Sequence, residues 1–226
     1  MTEIQAREEI CRVGRSLFER GYVHATAGNI SVRLDDGFLI TPTDACLGFL
    51  DPAQLAKLNP NGEQLSGQRA SKTQTLHRRI YEASSQAGQS PQCVIHTHST
   101  HLVALSLAAP LIAGLPGWME LLPAITPYFV MKVGHVPVLP YHRPGAPQVA
   151  EIAAQAIATY AANGIGLNAL MLSRLGPNVW HNSPTSAMAT LEELEETAKL
   201  MVLRPQTQPL PELAIEELRQ SFGASW

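Results

Sequence analysis

Cys93 to His101 reads CVIHTHSTH, an apolar run that ends in two histidines one position apart, His96 and His98. In an extended strand alternate side chains share a face, so both imidazoles project together and Thr97 turns away. Neutral imidazole is the commonest protein ligand for a transition metal, and two on one face form a natural chelate. The plain alternative is a polar strand end hydrogen-bonded to backbone. Three other stretches could hold an anion. Ala27-Gly28-Asn29 offers small side chains and exposed amides, a nest. Thr41-Pro42-Thr43-Asp44 supplies hydroxyls. Ser71-Lys72-Thr73-Gln74 reads as a helix start, with Ser71 and Gln74 spaced as a capping box. Its free amides and Lys72 would seat a phosphate or carboxylate. Each could equally be an ordinary cap or loop.

The elements that must position these groups alternate strand and helix. A stripe of Ile10, Val13 and Leu17 predicts a helix over Ile4 to Arg20, stopped by Gly21. Ile30 to Leu34 and Phe38 to Thr41 predict a hairpin around Asp35-Asp36-Gly37. A short element from Asp51 closes at Asn61-Gly62. The helix from Ser71 runs through Leu76, Ile80 and Ala83, and a polar loop over Ser84 to Pro91 leads into the histidine strand. Ser99 and the apolar run to Ala109 predict a capped helix. Leu111 to Pro127 is proline-rich and irregular, and holds Trp118 and Glu120. Tyr128 to Val133 and Val136 to Pro140 read as strands, Val149 to Ala162 as a helix. Ala169 to Leu172 with Val179-Trp180 reads as a second hairpin across Gly176-Pro177. Ser183 to Leu203 is the longest helix, its LEELEET run a solvated face opposite Leu191, Leu194, Ala198 and Met201. A short helix over Leu213 to Phe222 ends the chain. The division expected is one domain over 1–204 and a tail over 205–226.

Composition narrows the classes. The 226 residues are 45% hydrophobic and 15% charged, with a formal net charge of −3 and no clustered basic run. That excludes an electrostatic nucleic-acid binder. No stretch reaches the ~18 apolar residues of a membrane span, and the acidic N-terminus is unlike a signal peptide. Cys11, Cys46 and Cys93 are odd in number and far apart, which suits free thiols in a cytoplasmic protein.

The order TAGNIS, TPT, SK before a helix with LH, HTHS, TPYFVMKVG and LEELEETAKL resembles the class II aldolase/adducin family over about residues 8 to 203. GFLDPAQL, TPYFVMKVG, VPVLPYHRPG and EELEETAKL are most similar to its 3-oxo-tetronate 4-phosphate decarboxylase branch. The resemblance implies a three-layer α/β/α sandwich with a mostly antiparallel central sheet. It also implies a homotetramer with sites at subunit interfaces and a small-molecule sugar-phosphate substrate. Gly28, Asn29, Thr43, Ser71 and Lys72 would grip the phosphate. His96 and His98 would hold a divalent metal, usually zinc, and Tyr128 would be the acid that reaches in from a neighbour.

Two positions depart from that pattern. Thr73 stands where the family carries its catalytic glutamate, and Leu175 where its third metal histidine falls. Catalytic zinc normally keeps three protein ligands. His24, His101, His135 and His181 are the candidate substitutes. Thr73 is a poor base, which disfavours aldol cleavage and epimerisation. Decarboxylation of a β-keto acid needs no initial proton abstraction; it needs a positive centre at the ketone oxygen and an acid. A metal at His96 and His98, or Lys72 or Arg174, would supply the first and Tyr128 the second. The expected activity is therefore a carboxy-lyase on a 3-oxo-tetronate 4-phosphate. A fuculose-1-phosphate-type aldolase and a non-catalytic adducin-like interaction module are the alternatives.

Overall fold

The computed structural model describes every residue except 108–110. The first helix, α1 (Glu3–Glu19), opens on a complete capping box: the Thr2 hydroxyl accepts from the Gln5 amide, and the Gln5 side chain accepts from the Thr2 amide. It buries Ala6, Ile10, Val13 and Leu17 as one stripe. β1 (Asn29–Leu34) and β2 (Gly37–Ile40) form the expected hairpin. Two 3-10 turns, Leu47–Phe49 and Pro52–Gln54, precede β3 (Ala56–Leu58) and β4 (Gln64–Ser66). Then follow α2 (Gln74–Gln86), β5 (Cys93–His96) and α3 (Thr100–Leu107). The last residues of the run expected to reach Ala109 lie outside the described ones. A two-stranded ribbon, β6 (Ile112–Ala113) with β7 (Met119–Glu120), leads to α4 (Pro127–Lys132), β8 (Val138–Leu139) and α5 (Gln148–Ala162). β9 (Ala169–Leu172), β10 (Gly176–His181), α6 (Pro184–Leu203) and α7 (Glu212–Phe222) complete the order.

Eight strands make one sheet in the order β4-β3-β2-β1-β5-β10-β9-β8, antiparallel at every step except the parallel β8–β9 pair. Period-two alternation divides its side chains between two cores. Cys93 and Ile95 join Ile30, Val32 and Val179 under α1 and α6. Val94 joins Phe38, Leu170 and Trp180 under α2 and α5. This is the three-layer α/β/α sandwich with a mostly antiparallel sheet. His96 continues the Val94 side, beneath α2 and α5. No helix is long and apolar enough to cross a membrane.

Four local expectations are overturned. Tyr128 to Val133 is helix and not strand: the Thr126 hydroxyl accepts from the Phe129 amide at 3.1 Å and Pro127 takes the first helical position. Cap chemistry outweighed the β-forming side chains. The Ser71–Gln74 capping box does not form, because the chain makes a turn first and α2 begins at Gln74 with Thr73 before it. α2 also continues to Gln86, into the stretch expected as loop. The LEELEET run is not wholly solvated: Glu195 is buried and accepts from the His101 amide (3.0 Å), His101 Nδ1 (2.8 Å) and the Leu102 amide (3.2 Å). It thereby takes over the capping of α3 expected of Ser99, whose hydroxyl bonds Thr97 at 2.6 Å.

A buried carboxylate with three donors leaves all three unpaired when it is removed. Glu195→Ala should lower unfolding free energy in urea by about 2–3 kcal/mol, and Glu195→Gln by less, since the amide oxygen still accepts. Unchanged midpoints in both variants would show that the three bonds contribute nothing net.

Candidate active site

At one end of the sheet β5 stops at His96, with Asn29 of β1 opposite it on one side and Asn178 of β10 on the other. Cross-strand partners share a face, so the three side chains form a row beneath α2. His96 is fully enclosed and its Nδ1 donates to the Pro177 carbonyl at 2.8 Å. That bond fixes the tautomer and leaves Nε2 as a bare lone pair. Burial, followed by the neighbouring His98, lowers the His96 pKa to about 3, so the ring is neutral at physiological pH. His98 stands 5.0 Å from His96 between ring centroids, and its pKa is lowered by burial and then by His24.

Two glycines let the backbone come this close. A β-carbon on Gly28 would stand 2.9 Å from the His96 carbonyl oxygen, and one on Gly176 only 1.9 Å from that of Thr97. Around the histidines opens a cavity of about 330 Å³ whose lining includes Gly28, Asn29, Thr43, Ser71, Lys72 and Thr73. The three separate stretches expected to hold an anion therefore meet at one place. Thr73 donates its hydroxyl to Asn29 Oδ1 at 2.9 Å and lies 3.0 Å from the Ser71 hydroxyl, which ties the α2 start to β1. Leu175 also lines the cavity.

Other site residues are placed differently. Arg174 is exposed at a left-handed position (φ 65°), and its side chain is not part of the cavity lining. Tyr128 is 61% exposed on α4 and likewise outside it. Of the four substitute ligands, His101 bonds Glu195, His135 bonds Glu120 and His181 bonds Asn182. Only His24 approaches, its ring edge-on to His98 at 6.4 Å. Among the described residues no three His, Cys, Asp or Glu side chains are grouped to hold a metal ion. The residues thus fit a metal with two imidazole nitrogens and lack a third protein ligand.

Motif reading missed several groups. His142 and Arg143 line the cavity from the loop after β8, a stretch that reads only as a turn. Asn178 is buried with both amide atoms unpartnered, and so is His77 Nε2, whose Nδ1 meets Ser31 Oγ at 2.8 Å. Register alone could have found Asn178; His142 and Arg143 lie in the VPVLPYHRPG stretch that carries the family resemblance, but only the fold brings them to the cavity.

Residues 8–202 match the family model described as the Class II Aldolase and Adducin N-terminal domain. The chain belongs to the class II aldolase and adducin family. Within it, the chain is 52% identical to the 3-oxo-tetronate 4-phosphate decarboxylase of Cupriavidus necator, over 100% of this chain and 99% of that one. The enzyme of the same name from Escherichia coli K12 is 42% identical, over 89% of this chain and 88% of its own. The crystal structure of YgbL from Klebsiella pneumoniae superposes with a TM-score of 0.82 at 40% identity, covering 97% of this chain and 100% of that one.

The buried histidines set a pH dependence. His77, like His96, is held near pKa 3, by burial first and by His96 second. Each takes up a proton in the unfolded chain below about 6.5 and not in the folded one. Their contribution is complete above that value and lost as pH falls toward 3, at up to about 1.4 kcal/mol per pH unit for each. Metal-free protein in urea at pH 7.0 and pH 5.0 should show that loss, and His77→Phe should flatten it.

Proposed function

We propose that this protein is a carboxy-lyase acting on a 3-oxo-tetronate 4-phosphate. The observation that carries the reading is 52% identity, end to end, with a relative bearing that name. The cavity supports it with one flank of anion-binding groups and a neutral histidine pair at its floor. In the reaction the C1–C2 bond breaks and its electron pair passes into C2–C3, turning the 3-oxo oxygen into an enediolate oxygen. Carbon dioxide leaves, and C2 takes a proton to give dihydroxyacetone phosphate.

Gly28, Asn29, Thr43, Ser71 and Lys72 hold the phosphate beside the first turn of α2. Thr73 is no base: its proton is committed to Asn29, and decarboxylation asks none of it. His96 and His98 are the nitrogen ligands for a divalent metal, zinc by donor type. When bound, such an ion supplies a Lewis acid for the 3-oxo oxygen. Tyr128, exposed on α4, protonates C2 in the cavity of a neighbouring subunit of a homotetramer.

The direct test is carbon dioxide release from synthetic 3-oxo-tetronate 4-phosphates with zinc or manganese supplied, dihydroxyacetone phosphate being the second product. Lys72→Met should lower kcat/KM by about 100-fold, roughly 2.7 kcal/mol of transition-state binding. No carbon dioxide from either stereochemical series would overturn the assignment. The metal reading has its own test, independent of turnover. Leu175→His should tighten zinc binding at least tenfold in competition with a chromophoric chelator, and His96→Ala should abolish it.

A further inference from the structure

The roof of the cavity is a second cationic element. Residues 140–147 connect β8 to α5 without regular structure, but Pro140, Pro144 and Pro147 fix three φ angles and the Ala146 amide donates to the Arg143 carbonyl at 3.1 Å. The loop leans on the α2 start: a β-carbon on Gly145 would lie 3.8 Å from Lys72 Cβ. Arg143 and Lys72 thus line one cavity from adjoining walls, with His142 beside them. Neither cation has an acidic partner among the described residues. The lining contains a single acid, Asp44. Two unpaired like charges on touching segments repel unless an anion lies between them, and a dianion answers both.

We infer that Arg143 is a second cationic ligand of the substrate's phosphate, reaching it from the preformed loop that adjoins the α2 start. This rests on the phosphorylated substrate proposed above. The guanidinium fork suits two phosphate oxygens, whereas Lys72 acts as a point charge. A carboxylate would accept the same fork but carries one charge for two cations. The loop also meets the α2 start at Lys72, among the residues proposed above to bind the phosphate, which favours the phosphate end of the substrate.

Calorimetric titration of the full chain with inorganic phosphate and, separately, with L-threonate distinguishes the two ends. Arg143→Gln should weaken phosphate at least tenfold and leave threonate within twofold. Arg15→Gln, an exposed arginine on α1, should leave both as they are. In the carbon dioxide assay Arg143→Gln should raise KM about tenfold with kcat within threefold. Unchanged phosphate affinity in Arg143→Gln overturns the inference, as does a loss confined to threonate. A wild-type chain that takes up no phosphate overturns the phosphorylated-substrate reading as well. If phosphate binds but no carbon dioxide forms, the calorimetric comparison still decides the role of Arg143 by itself.

Discussion

The hydrogen bond from His96 Nδ1 to the Pro177 carbonyl organises the site, because it joins two strands and one nitrogen lone pair in a single contact. It exists only while β10 keeps its register against β5, with Asn178 opposite His96. That register depends in turn on the bare backbone of Gly176 lying on Thr97. Shifting β10 by one residue would turn Trp180 out of the α2/α5 core and remove the carbonyl from His96. Core packing and imidazole orientation are thus set by the same register on the same face of the sheet.

What the site retains favours a reaction that begins with bond cleavage. The hydroxyl of Thr73 is spent on Asn29, and Leu175 adds an apolar side chain to the cavity lining. The candidate phosphate-binding residues line one cavity, and burial keeps the His96 imidazole neutral. A β-keto acid carries its own electron source in the carboxylate, so binding, orientation and charge at one oxygen make up most of what the protein has to contribute.

Much of this was legible in the residues and some was not. The His96–His98 pair was legible from its spacing, although β5 ends at His96, and the small and hydroxyl stretches expected to seat an anion converge on one cavity. Local chemistry misled where one residue type outvoted another: YFVM reads as strand until Thr126 and Pro127 are weighed as cap and first turn. Glu195 could not be read at all, since its three donors lie about ninety positions earlier in the chain. Arg143 looks like any turn residue until β8 and α5 carry its loop onto Lys72. Contacts between elements distant in sequence are where periodicity and capping rules stop.

Gly176 has one more consequence. Its bare backbone lies against the Thr97 carbonyl, and a β-carbon there would stand 3.2 Å from the His98 Cα, so it sets how near β10 comes to the second histidine. The residue before it, Leu175, packs against the α2/α5 core. Two adjacent positions thus act as spacer and anchor, one holding the distance to the histidines and the other holding the turn to the body of the protein.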